Sequence, residues 1–367
     1  MIVMDLKVDN YYAFKNFHIN MAYPKKIIDS AIDGEFLEDR TNFRYKKVNI
    51  IMGSNATGKT SIGRILMHIF NFISKKELEG ITNAICNKHK EATFSIDFVL
   101  RDNKLYRLKT TIHPLQGEQY RSSEVDVTVE SVAIKKTDSY ESTAKRFSSY
   151  YIKENYINAL EKIGAIGWFF TYPTDEASLN CKDADDDYLD ILNYTLKALD
   201  PSIQQVRKID DIEDSYVIET RDNKLIVQEG QVIRQDLLSS GTKAGLDIAY
   251  LISAIKNGRN GFYYCDEKFS YIHSDIEKAV LSVLIECLQK NEQLFFTTHN
   301  TDILDLDLPK HTFVFLKKDI TDQEQPIKCI SASSFLKRNT DSLRNAVDND
   351  LFSVAPSLDW IYAIGEL

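Results

Sequence analysis

The sequence predicts an α/β fold: a mixed, largely parallel sheet flanked by helices, with an inserted subdomain of β-hairpins and helical pieces. Three observations predict it. A short apolar run at 47–52 passes through a glycine-containing octapeptide into residues with helical apolar spacing. From about residue 237, helical patterns alternate with apolar runs of strand length, as strands buried on both faces require. Between these regions, 72–236 holds period-two stretches bounded by turn residues. The 367 residues allow one large domain or two ordinary ones, and 43% hydrophobic residues with only 14 Gly and 7 Pro supply a core.

Each element has a local reason. Residues 2–8 and 17–21 alternate as strands, and a polar connection covers 29–45. A helix is expected over 58–74, with Ile62, Ile65, Leu66 and Ile69 on its buried face. Residues 92–100, 105–112 and 125–134 alternate again, and the first two flank the turn-favouring Asp102-Asn103 as a hairpin. A second hairpin pairs 216–220 with 225–228. Both hairpins enclose Arg-Asp-Asn-Lys-Leu (101–105 and 221–225), which reads as convergent turn chemistry, not duplication. Helical pieces are expected at 142–163 and 188–199, the second ended by Pro201. The acidic cluster at 183–187 offers carboxylates to a cation, but a solvated helix start is the favoured reading. Then come a helix at 243–256, an apolar run at 262–265, a helix at 274–290, a run at 294–298 and a strand at 312–316. The expected organisation is a discontinuous head from 1–71 and 237–318, an insertion at 72–236, and a tail at 319–367 packed on the head. No heptad pattern lasts three repeats in the insertion, so a long coiled coil is not expected.

Composition excludes several classes. With 45 basic and 54 acidic residues the net charge is −9, which gives no support to non-specific coating of nucleic acid, though a local basic groove stays open. No run approaches the ~18 apolar residues of a membrane span. The N-terminal stretch 1–7 alternates like a strand and does not resemble a signal peptide. Cys86, Cys181, Cys265, Cys287 and Cys329 are odd in number and lack CxxC spacing, which argues against a disulfide framework and a zinc site. A soluble, cytoplasmic protein without a membrane partner is expected.

The chemistry concentrates in two places. Gly53, Ser54, Asn55, Ala56, Thr57, Gly58, Lys59 and Thr60 fit the phosphate-loop pattern GxxxxGK[ST], followed by Ser61, between an apolar strand and a helix. The glycines let main-chain amides curl around phosphate, and the helix N-terminus adds partial positive charge. Lys59 is then expected at the β- and γ-phosphates, with the Thr60 hydroxyl on Mg²⁺. The run 262–265 ends in Asp266-Glu267, where Asp266 is expected to serve Mg²⁺ and Glu267 to accept a proton from attacking water.

Two further elements complete a series. Leu238-Ser239-Ser240-Gly241-Thr242 opens a helix ahead of the strand that ends at Asp266, and Thr298-His299 follows the next strand beyond Glu267. Together these resemble the ABC-type ATPases, whose LSGGQ signature and switch histidine occupy this order. Ser240 stands where the first signature glycine is usual and Thr242 where glutamine is usual, and this Ser-x-Gly-Thr form resembles the OLD/RecF-like AAA ATPases, a branch with many prokaryotic defence ATPases. Val8-Asp9-Asn10 through Phe14-Lys15-Asn16-Phe17 resembles the first strands of RecF-like heads, and Thr297-Thr298-His299-Asn300 with Asp302-Ile303-Leu304 resembles the branch's histidine loop. Ile272-His273-Ser274 keeps the histidine of Leu-His-Pro without the proline, so His273 is either part of that loop or a helix-start residue. Phe269 replaces a commonly acidic residue. The resemblance covers 1–20, 46–70 and 236–318, and 92–112 loosely. The span between Lys59 and Ser239 is much longer than a transporter's helical subdomain. For the phosphate-sensing glutamine, Gln116 and Gln119 qualify by residue type only.

The resemblance implies an ATPase with ATP and Mg²⁺ as ligands, and a homo-oligomer of at least two heads. In it Ser239 and Gly241 of one head face the nucleotide held by Lys59 of the other, and His299 joins Glu267 in catalysis. Two roles stand open. One is a switch or sensor ATPase that controls a separately encoded effector in antiphage defence. The other is a RecF-like DNA-repair or recombination ATPase that clamps nucleic acid. The first gains from the acidic composition, the missing coiled coil and the short stretch after 318, which has no room for a Toprim nuclease domain. The second requires Lys135, Lys136, Lys145 and Arg146 to converge on one face, although a solvated helix explains them equally well.

Overall fold

The computed structural model describes residues 1–27, 30–148, 155–173, 187–209, 212, 215–221, 223–228, 231–232, 239–338, 341–353, 355 and 358–365. Leu238, Cys181, Asp222, residues 183–186 of the acidic cluster and 149–154 of the expected helical piece lie outside the described residues. The chain divides into two compact units, Met1–Ile166 with Asp307–Leu367, and Gly167–Leu306. No helix among the described residues is long and apolar enough to cross a membrane.

In the first unit, five antiparallel strands run in the order Phe17–Asn20, Ile2–Asp9, Ala92–Val99, Lys104–Ile112 and Val125–Ala133. Alternation sets their register: Leu6 opposes Ile96, which opposes Leu108, and all three are fully buried. The expected hairpin turns at Asn103, whose left-handed φ of 57° suits asparagine, while the Asp102 carboxylate accepts from the Lys104 amide at 3.2 Å. The same unit holds Val48–Met52, parallel to Phe313–Lys318, which pairs antiparallel with Ile327–Ser331. Helix Lys59–Lys75 buries the expected Ile62, Ile65, Leu66 and Ile69.

In the second unit, Phe169–Thr171, Phe262–Asp266 and Gln293–Thr297 are parallel, and Tyr264 stacks between Phe170 and Phe295 at 5.6 and 5.8 Å. Helices Ser240–Lys256 and Ser274–Cys287 belong here. The predicted hairpin pairs Ser215–Thr220 with Lys224–Gln228 in a four-stranded antiparallel sheet. Its apolar face packs on helix Tyr188–Leu199 through Leu192, Leu196, Ile218 and Val227. That helix meets Ser240–Lys256 so closely that a Cβ on Gly245 would lie 2.5 Å from Leu199 Cδ1.

Four expectations change. The connection at 29–45 contains a short hairpin, Phe36–Leu37 with Arg40–Arg44, which turns at Asp39 (φ 61°) and puts Leu37 and Phe43 in the core. The piece at 142–163 is two short helices, Tyr140–Ala144 and Tyr156–Glu161, begun by Ser139 and Asn155 caps, because each cap restarts the helix locally. The helix expected to reach 290 stops at Cys287: the buried Glu292 carboxylate accepts from the Gln289 amide at 2.9 Å and draws the backbone out of the helix. The stretch after 318 supplies Ile327–Ser331, and Phe352 stacks on Phe315 at 4.1 Å.

Candidate active site

The phosphate loop leaves a fully buried strand, Val48–Met52, at Gly53. A Cβ there would lie 2.7 Å from Leu316 O and 2.8 Å from Thr57 Oγ1, so only glycine fits. Gly58 has a φ of 101°, and a Cβ on it would meet Phe14 Cε1 at 2.9 Å. Between them Thr57 donates to Ser54 O at 2.8 Å and closes the loop, while Asn55 and Ala56 form its exposed rim. Lys59 is buried, and its ammonium donates to Gly53 O at 2.8 Å and Ser54 O at 3.1 Å, which places a positive charge inside the curl of main chain. Gly58 has no side chain to cap helix Lys59–Lys75. A cradle that excludes both Cβ atoms, a lysine within it and a helix N-terminus behind it suit a phosphate chain. Thr60 and Ser61 are partly buried on the first helical turn.

The second unit brings Asp266, Glu267 and His299 together. Asp266 ends the buried strand with no exposed surface, and Thr297 Oγ1 donates to its Oδ1 at 2.6 Å. The same Thr297 hydroxyl accepts from the Glu267 amide at 3.0 Å, and Thr297 O accepts from that amide at 3.1 Å. Glu267 leaves the strand with a φ of 43°, a left-handed conformation. His299 Nε2 lies 2.9 Å from Glu267 Oε1, with the two side chains 41% and 21% exposed. They line a cleft of about 340 Å³ with Ser274, Glu277 and Asn300. A carboxylate partly open to solvent and held by an imidazole can take a proton from water.

Ser239 and Gly241 sit in a neighbouring cleft of the same unit, about 410 Å³, with Tyr271, Ile272 and His273. Ser239 caps its helix: Oγ accepts from the Thr242 amide at 3.0 Å and lies 2.7 Å from Thr242 Oγ1. His273 is likewise a cap, its Nδ1 accepting from the Asp275 amide at 3.2 Å, which favours the helix-start reading. Tyr271 beside it is 70% exposed. Phe269 is buried against Phe296 at 5.3 Å, so its departure from an acidic residue serves packing.

Other candidates recede. Gln116 and Gln119 are exposed, and Gln116 donates to Pro114 O at 3.3 Å. Arg146 pairs with Asp138 and donates to Ala133 O at 3.0 Å, so it fastens its own loop. Asp187 pairs with Lys256 at 2.5 Å and starts helix Tyr188–Leu199, and that lysine holds its carboxyl below the usual range.

Four residues around the site carry roles that sequence reading missed. Thr297 links Asp266 to Glu267 as above. Glu277 and Asn300 support the histidine loop, with Asn300 Nδ2 donating to Glu277 Oε2 at 2.8 Å. Lys268, buried beside Glu267, pairs with Asp247 of helix Ser240–Lys256 and donates to Tyr172 O at 2.8 Å. Thr297 and Asn300 lie in the stretch that resembles the histidine loop and Lys268 directly follows an apolar strand and its two carboxylates, whereas Glu277 carried no signal of its own.

Together the fold and these sites define a P-loop ATPase of the AAA/ABC-type class. Residues 48–305, more than half of the chain, match the family described as "AAA domain, putative AbiEii toxin, Type IV TA system", and the chain belongs to that family. Among solved structures, an Smc head bound to the C-winged helix domain of ScpA is 14% identical with a TM-score of 0.53, covering 92% of this chain and 100% of that one. An Smc head with an extended coiled coil bound to the C-terminal domain of ScpA, derived from Pyrococcus furiosus, is 12% identical with a TM-score of 0.52, covering 92% and 98%. These two likenesses establish an α/β head of ABC type. The recombination mediator protein RecF is 10% identical with a TM-score of 0.42, covering 86% and 96%, too distant to bear on function. No curated protein matches the chain in sequence.

Proposed function

We propose that the chain is an Mg²⁺-dependent ATP hydrolase of the OLD/RecF-like branch that closes as a homodimer around ATP and controls a separate effector in cytoplasmic antiphage defence. The observation that carries the hydrolase reading is the 2.9 Å contact between His299 Nε2 and Glu267 Oε1. The phosphate-loop amides and Lys59 hold the triphosphate. Glu267 accepts the proton of the attacking water, and His299 keeps that carboxylate oriented. Magnesium, when bound, would offset charge on the phosphate oxygens; in the first unit the Thr60 hydroxyl is a hard oxygen donor of the kind it takes, and in the second unit the Asp266 carboxylate would serve it through water.

Dimer closure rests on the signature helix. Ser239 and Ser240 are exposed at the N-terminus of a 17-residue helix, where main-chain amides attract an anion. A γ-phosphate held by one head would meet this helix end of the other, and ADP would lack the contact. The family's description names a putative toxin of a toxin–antitoxin system, which supports a defence role over a repair role. The nucleic-acid clamp is the second reading, and it loses support from Arg146, which is spent on Asp138.

Subunit mixing tests the proposal. Ser239→Arg blocks the signature end, and Lys59→Ala empties the phosphate loop, so each alone is expected to be inactive. Mixed, they share one intact composite site, and partial ATPase activity is expected to return. Ser239→Ala controls for the lost helix cap, worth ~1 kcal/mol. A monomer with a concentration-independent specific rate overturns the dimer. An inactive wild-type chain in ATP and Mg²⁺ overturns the hydrolase.

A further inference from the structure

The loop that carries His299 is held from helix Ser274–Cys287. Glu277 lies in the first turn of that helix, 4% exposed, with both carboxylate oxygens engaged. Thr298 Oγ1 donates to Oε1 at 2.6 Å, and Asn300 Nδ2 donates to Oε2 at 2.8 Å. These two residues flank His299 in the chain. Asn300 is itself fixed: its main-chain N–H donates to Thr298 Oγ1 at 2.9 Å, and its Oδ1 accepts from the Asp302 main-chain N–H at 2.9 Å. One buried carboxylate therefore grips the residues before and after the histidine whose Nε2 lies 2.9 Å from Glu267 Oε1.

We propose that Glu277 is a positioning residue that acts through His299, setting the imidazole against Glu267. The proposal deepens the hydrolase reading and rests on it. Its physical basis is the cost of the group. Burial opposes the charged form and pushes the Glu277 carboxyl up, while the hydrogen bonds from Thr298 and Asn300 pull it down. An apolar residue would pack at this place on the helix without that cost. What the carboxylate adds is two acceptor oxygens on a rigid element, aimed at the two neighbours of the histidine. Glutamine replaces it only in part, because it keeps one acceptor oxygen: its NH₂ would face either the Thr298 hydroxyl, which must then accept instead of donate, or the Asn300 NH₂, which cannot accept.

A double-mutant cycle in the full chain tests this. Glu277→Gln and Glu277→Ala are made alone and on a His299→Ala background. Alone, each is expected to lower kcat about 10-fold or more while KM for ATP changes less than about two-fold. On the His299→Ala background no further loss is expected, because Glu277 acts through the residue already removed. Glu286→Ala, an exposed change on the same helix, leaves kcat unchanged. A second readout needs no turnover. The His299 imidazole NMR signal, assigned by its loss in His299→Ala, is expected to move in Glu277→Gln and to stay in Glu286→Ala. If wild type does not hydrolyse ATP, the hydrolase reading fails and the NMR readout still decides the role of Glu277. Additive losses in the cycle, or an unmoved His299 signal, overturn it. Should Glu277→Ala fail to fold, Glu277→Gln, nearly isosteric, carries both readouts.

Discussion

His299 and Glu267, which follow two different strands, meet with Nε2 and Oε1 at 2.9 Å. The parallel pairing of Asp266 with Thr297 brings them there, since each residue follows its strand end by one or two positions. A general base and the group that orients it thus share one rigid pair of strands.

Glu267→Gln keeps the size of the side chain and removes the proton acceptor. ATP binding is expected to persist, while turnover falls about 10²–10⁴-fold, the usual contribution of a general base. Nucleotide titration and steady-state hydrolysis measure the two separately, and normal turnover refutes the assignment.

Lys59→Ala removes a charge that lies within the phosphate loop. ATP affinity is expected to fall by about 1.5–3 kcal/mol, the range for a charged hydrogen bond, without loss of the fold. Calorimetric titration with unchanged affinity would contradict the phosphate-loop reading.

Thr297→Val deletes the hydroxyl between Asp266 and the Glu267 amide. A buried carboxylate then loses a donor, and stability is expected to drop by about 1–3 kcal/mol, with Thr297→Ser largely restoring it. Denaturant midpoints for the three proteins check this; a midpoint unmoved in valine argues that the hydroxyl bridges nothing of consequence.

Glu277 also sets a pH dependence. Burial raises its carboxyl above the ordinary 4.5, with Asp302 acting in the same direction and Thr298, Asn300 and His299 against it. A carboxyl with a raised pKa binds its proton more tightly in the folded state, so its contribution is greatest below 4.5 and is lost as pH rises through the folded value. The stability of wild type relative to Glu277→Gln is therefore expected to decrease from about pH 4 toward neutrality. Paired unfolding curves across that range test the sign, and a rising difference contradicts it.

Legibility followed the distance over which each interaction acts. The phosphate loop was readable because its demands are local: Gly53 and Gly58 are glycine where the backbone excludes a Cβ, and Lys59 follows on the helix. The strand ending in Asp266-Glu267 was readable from its apolar run. The helix start at Ser239 was readable from cap chemistry, which reaches only to Thr242. The hairpin at 36–44 and the strand Ile327–Ser331 were hidden, being short segments whose burial comes from neighbours elsewhere in their unit. The partners of the site were hidden too. Thr297 meets Asp266, and Glu277 meets Thr298, only across a strand pair or from a helix to a loop. Sequence by itself determined which residue types stand at the strand ends and helix starts, because backbone conformation there depends on a few neighbours. Tertiary structure alone decided that a carboxylate on helix Ser274–Cys287 grips the chain on both sides of His299, because a hydrogen bond needs its atoms within about 3 Å and only the packed fold sets that distance.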